Sequence, residues 1–197
     1  MAAGDPRPET LEQDGRRLRS ADSRARIVTA VLALIGEGDV SPGAEAVAAR
    51  AEVGLRTVFR HFKDMDSLYQ EMTEVIATEM RASAAVPIQA SAWRERLLEL
   101  VGRRAEIFER IAPFKRAADA RRLHSSVFEH ANTRLVWALR EILKRELPPE
   151  AAADPVLFES LDLLLSFEAW SRLRRDQDLS PDEARAVLEG TVRRLLG

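Results

Sequence analysis

From Ile27 to Leu195 the apolar residues of this chain recur at intervals of three and four, and no stretch alternates strictly between apolar and polar. Ile27, Val31, Leu34 and Ile35 stand at i, i+4, i+7 and i+8 and are closed by Gly36 and Gly38. Such spacing puts side chains on one face of an α-helix. A chain patterned only at that period builds layers of helix on helix, so the fold class is all-α, with about nine helices. The punctuation agrees. Ser41-Pro42 predicts a second helix, with serine as cap and proline at its first position. Its stripe is Ala44, Val47, Ala48 and Ala51, small enough for another helix to approach closely. Glu52 and Val53 separate it from a third helix that starts at Gly54, and Asp64 can cap a fourth, striped by Leu68, Met72 and Ile76.

After a break at Pro87, a long helix carries Trp93, Leu97, Val101, Phe108 and Ile111, and Pro113 ends or restarts it. Another runs from about Ser126 to the Pro148-Pro149 pair. Asp154-Pro155 opens a helix expected over 155–175. Ser180-Pro181-Asp182-Glu183 reads as a capping box for the last one, striped by Ala184, Val187, Leu188, Thr191 and Leu195.

This divides the chain into a polar, aperiodic, flexible arm at 1–21, a three-helix unit at 22–70 and a larger helical bundle at 71–197. Net charge is only −2 over 197 residues, so total charge says nothing about nucleic acid. Its distribution says more: from Arg16 to Lys63 nine basic residues face five acidic ones. In the arm, Arg16, Arg17 and Arg19 are candidate DNA contacts, a solvated tail being the alternative. The absence of cysteine excludes disulfides and thiolate chemistry. No apolar run approaches the ~18 residues that span a bilayer, and the N-terminus lacks the apolar core of a secretory signal. The expected location is the bacterial cytoplasm, at the nucleoid, without a membrane partner.

The stretch "VGLRTVFRHF" at 53–62 narrows the function. In a helix Val58 and Phe62 share a face, and Arg56 and Arg60 point almost the opposite way, flanked by Thr57 and Phe59. Two short helices joined by a tight turn form a helix-turn-helix, whose second helix fits the major groove. Arginine can make two hydrogen bonds to guanine N7 and O6, so Arg56 and Arg60 can read neighbouring steps. Thr57 suits a phosphate or a thymine methyl, and Leu55 a thymine methyl. His61 and Lys63 suit phosphates, and Ser41 would leave free amides at a helix start aimed at another.

The pattern Ala48-x-x-Ala51-x-Val53, then Thr57-Val58-Phe59-x-His61-Phe62, then Leu68, within residues 26–72, resembles the DNA-binding domain of TetR-family transcriptional repressors. The resemblance implies a two-domain homodimer on a double-stranded, pseudo-palindromic operator, with a small-molecule inducer in the C-terminal domain shifting the spacing of the heads. It implies no cofactor and no enzymatic activity. This chain departs from the pattern at several places. Glu52 stands where glycine is usual, which requires a turn residue with no need of positive φ. Gly54 replaces a capping serine, Phe59 a tyrosine and Met65 a lysine, for which Lys63 can substitute.

In the C-terminal part, the expected helix at 155–175 is apolar around most of its circumference and must be covered on all sides. A two-fold partner would complete that cover, which makes Leu161, Leu165, Leu173, Leu188 and Leu195 the candidate dimer interface. Phe108, Phe114, Phe128, Trp137 and Trp170 are candidates for lining an apolar ligand pocket, or for plain core. His124 and His130 are six apart and lack partners of metal-ligand spacing, so no metal site is expected. No phosphate loop, nucleophile elbow or Glu-x-x-His pair is present. The competing non-enzymatic reading is a helical adaptor using its arginine face on an acidic partner.

Overall fold

A computed structural model describes the backbone of residues 8–197 and the side chains of residues 17–197. Among the described residues the chain is all-α, with ten α-helices, one π turn and no strand. The helices are α1 (Pro8–Gly36), α2 (Ala44–Arg50), α3 (Leu55–His61), α4 (Met65–Ala84), α5 (Trp93–Arg122), α6 (Ser126–Glu146), α7 (Pro149–Ala153), α8 (Pro155–Leu164), α9 (Phe167–Ser171) and α10 (Pro181–Leu196). The π turn is Arg172–Asp176. Two compact units divide at Glu74 and Val75, inside α4.

In the first unit α1, α2 and α3 pack pairwise. Ile27, Val31 and Ile35 of α1, Val47 and Ala48 of α2, and Val58 of α3 are all buried. Phe62, Leu68, Tyr69 and Met72 are buried as well. The small residues of α2 serve the close approach that their size allows. Two expectations fail here. The stretch 8–21 is helical, continuous with α1, rather than an irregular arm. Prolonging a formed helix adds a hydrogen bond per residue fixed, without the cost of a new nucleus. Ser41 does not cap α2, which begins at Ala44 behind Gly43 (φ −78°, ψ 168°) with no side-chain cap. The N–H of Ser41 donates to Asp39 Oδ1 at 3.0 Å, and the carbonyl of the buried Pro42 accepts from the Tyr69 hydroxyl at 3.4 Å. Those bonds hold 41–43 in an extended entry to the helix.

In the second unit one apolar cluster gathers Leu97, Val101, Phe108 and Ile111 of α5, Leu143 of α6, Leu161 of α8, Trp170 of α9 and Leu188 of α10. Phe108 meets Phe167 edge to face, with ring centroids 5.6 Å apart. Pro113 neither ends nor restarts α5, which runs unbroken through it. The lost backbone bond is tolerated where Phe108, Ile111 and Ala117 anchor both sides in the core.

The helix expected over 155–175 is broken instead. Leu165 (φ −91°, ψ 13°) closes α8, and Ser166 caps α9 by accepting from the Ala169 N–H at 3.1 Å. The π turn then follows. Glu109 accepts from Trp170 Nε1 (2.9 Å) and Arg174 Nε (2.8 Å), fixing that irregular stretch on α5. This segmentation lets one chain cover apolar residues all around the segment. Accordingly Leu161, Leu165, Leu173 and Leu188 belong to the core of their own subunit, not to an outer interface. Of the five interface candidates only Leu195 is exposed; it joins Val156, Leu163 and Val187 as the exposed large apolar residues of α8 and α10.

Candidate nucleic-acid interface

The turn between α2 and α3 is built from the end of α2. The N–H of Glu52 donates to the Ala49 carbonyl (3.2 Å) and that of Val53 to the Ala48 carbonyl (3.0 Å). These are the paired bonds of a Schellman motif, which requires a left-handed residue at the position Glu52 occupies. Glu52 indeed has φ +54°. The expectation that glutamate implies an ordinary φ at this turn is therefore overturned.

Gly54 (φ −70°, ψ 148°) starts α3, and its carbonyl accepts from the Thr57 N–H at 2.7 Å. Val58 points inward and is 1% exposed. Leu55, Arg56, Phe59 and Arg60 are exposed, at i, i+1, i+4 and i+5, so they share the outward edge, and Lys63, also exposed, follows the helix beyond the extended Phe62. Thr57 is half-buried beside them. Arg56, Arg60 and Lys63 form no hydrogen bond or ion pair among the described residues. Phe59, at 48% exposure, and Leu55, at 39%, interleave apolar contact surface with those cations.

A residue that the sequence reading missed holds this helix from behind. Arg24 of α1 donates through one terminal nitrogen to the His61 carbonyl at 2.8 Å. Its Nε and other terminal nitrogen reach the Glu71 carboxylate at 3.2 and 2.5 Å, and its guanidinium lies 4.4 Å above the Phe62 ring. The end of α3 is thereby bound to α1 and α4, and one helix-terminal carbonyl is satisfied. Only the 37-residue separation of the pair hid it from local pattern reading. Arg50 and Glu37 form a second tie, between the ends of α2 and α1.

His61, expected to meet a phosphate, is half-buried. Its Nε2 is buried and has no hydrogen-bond partner. Burial, then the positive charges of Arg60 and Arg24, hold its imidazole below the ordinary histidine value and so favour the neutral ring. Ser41 does not open α2 toward a phosphate, since the helix starts three residues later. In α1, Arg17 and Arg19 are exposed, while the side chain of Arg16 lies outside the described residues.

The pocket candidates of the second unit are dispersed. Phe108, Phe128 and Trp170 are buried, Phe114 is half-buried, and Trp137 stands in solvent at 61% exposure. A cavity of about 300 Å³ opens between α5, α6, α8 and α9, and none of the five lines it. Side chains at helical spacing fill the cluster, leaving the cavity where polar residues interrupt the packing.

No protein-family model matches the chain, and no curated protein matches its sequence. Solved structures do match its fold. A transcriptional regulator from Rhodococcus sp. Rha1 superimposes with TM-score 0.70 at 15% identity, over 88% of this chain and 95% of that one. A TetR-family transcriptional regulator from Rhodococcus sp. gives 0.66 at 17%, covering 89% and 99%. The multidrug binding protein EbrR, solved with imidazole, gives 0.60 at 19%, covering 87% and 93%. The chain has the all-α fold of TetR-like regulators.

Proposed function

We propose that this chain, carrying the fold of TetR-like regulators, is itself a DNA-binding transcriptional regulator and not an enzyme. It acts as a ligand-responsive repressor, a homodimer on a pseudo-palindromic operator in the bacterial cytoplasm. The observation that carries the reading is the outward edge of α3. Arg56 and Arg60 leave their charges unengaged on one side of a short helix whose other side is locked to α1 and α4, and Lys63 does the same just past its end. A guanidinium with no internal partner keeps all its donors for base edges and phosphates. Two such helices ~34 Å apart would enter successive major grooves.

Fluorescence anisotropy with a duplex selected from a random pool tests this. Arg56→Ala or Arg60→Ala should weaken the selected site by roughly 1–3 kcal/mol, and Lys63→Ala should lower affinity for all duplexes and reduce the salt slope by about 1. Unchanged binding in both arginine variants would overturn the assignment. Equal affinity for heparin and duplex would favour an adaptor for acidic partners.

A further inference from the structure

The exposed side of α3 is not uniformly cationic. At ~100° per residue, Arg56 and Arg60 each stand about 160° away from the buried Val58, on the outermost line of the helix. Leu55 and Phe59 stand about 60° and 100° from Val58, along one flank of that line. Thr57 takes the other flank. The members of each pair are four residues apart, so the edge carries two parallel rows, one of guanidiniums and one apolar.

The apolar row is open. The first unit has three aromatic residues, Phe59, Phe62 and Tyr69. Phe62 and Tyr69 are buried, and Phe59 alone is exposed. Arg24 stacks on Phe62, and among the described residues no cation stacks on Phe59. A phenyl ring and a leucine side chain offer a base edge van der Waals contact and nothing else. Set against the amino groups of adenine or cytosine, or against guanine N7 and O6, they strip water and return no hydrogen bond, which is costly. The apolar group that the major groove presents is the C5-methyl of a pyrimidine.

We propose that α3 reads a C5-methylated pyrimidine beside the guanines contacted by Arg56 and Arg60, with Phe59 and Leu55 as the reading residues. The group recognised is the methyl itself. Thymine carries it, and so does 5-methylcytosine, so methylation of a cytosine at that place strengthens binding. This rests on the regulator reading above and adds the base chemistry of its half-site.

Fluorescence anisotropy with the duplex selected from a random pool tests it on the native chain, by changing the DNA alone. Deoxyuridine in place of each thymine in turn removes one methyl and keeps the base pair. At one or two thymines next to a guanine, affinity should fall about 3- to 5-fold, the share of one buried methyl. A C·G pair put at the same place should bind about 3- to 5-fold better when its cytosine is 5-methylated. In the double variant Leu55→Ala with Phe59→Ala both differences should vanish. Both side chains are exposed, so helicity should be unchanged. If these residues pack on sugar or phosphate instead, the double variant loses affinity for thymine and deoxyuridine duplexes alike and keeps any discrimination. A selected site with no thymine beside a guanine, tolerance of deoxyuridine at every thymine, equal binding of cytosine and 5-methylcytosine duplexes, or discrimination undiminished in the double variant would each overturn the proposal. A duplex bound tightly but indifferent to these methyl groups sinks this inference alone. Failure to select any duplex sinks the regulator reading, and this inference with it.

Discussion

Glu52 shows what one side chain contributes through its backbone alone. It is exposed and holds a left-handed conformation at φ +54°, because the Schellman bonds closing α2 leave no other course. For a residue with a Cβ that conformation costs on the order of 1 kcal/mol, and glycine avoids it. Part of the gain returns as unfolded-state entropy. Glu52→Gly should therefore stabilise the first unit by ~0.5–1 kcal/mol in a urea titration followed by circular dichroism. Glu52→Gln removes the charge and keeps the Cβ, so it should show no such gain. An equal gain in both would mean that charge, not backbone, is the cause. The outward residues of α3 were legible because each follows from its spacing to Val58 and Phe62. The burial of His61 Nε2 was not, since it depends on packing around the end of α3, where Arg24, far away in the chain, binds the His61 carbonyl.

At the scale of elements, caps explain which boundaries the sequence made readable. Asp154 accepts from the N–H groups of Val156 and Leu157, and Ser180 and Glu183 cap each other as expected. These signals act within four residues. The break at Leu165–Ser166 has no such signature strong enough to outweigh the apolar run around it. It depends on Arg104 reaching the Leu165 carbonyl from α5. The same logic makes Arg24 the residue that positions α3. Its side chain and that of Glu71 are 41% and 38% exposed, so water screens the ion pair, which adds little by itself. The bond to the His61 carbonyl and the stacking on Phe62 add to it. Arg24→Ala should destabilise the first unit by about 1–2 kcal/mol. It should also lower hydrogen-exchange protection selectively over 55–62. Loss of protection spread evenly over α1 to α4 would deny it a role specific to α3.

For the whole molecule, the redistribution of leucines changes where a second copy can dock. A helix apolar all round can be covered by its own chain or by a partner, and periodicity does not distinguish them. Leu161 and Leu188, at 0% and 5% exposure, are covered by their own chain. Truncating Leu161 to alanine should cost ~2–5 kcal/mol of subunit stability as a core cavity. Val156 and Val187, at 76% and 45% exposure, leave apolar surface on α8 and α10 that a homodimer would bury. Arg in place of both would put unpaired charges into that contact, which costs several kcal/mol. Val156→Arg with Val187→Arg should weaken self-association by at least about a hundredfold, and helicity should be unchanged. Sedimentation velocity of the two sets of variants separates the roles. Leu161→Ala should remain dimeric until it unfolds, and the double arginine variant should sediment as a folded monomer. A double variant that stays dimeric would move the interface off this surface, and the spacing of two α3 helices would have to be set by another face of the second unit.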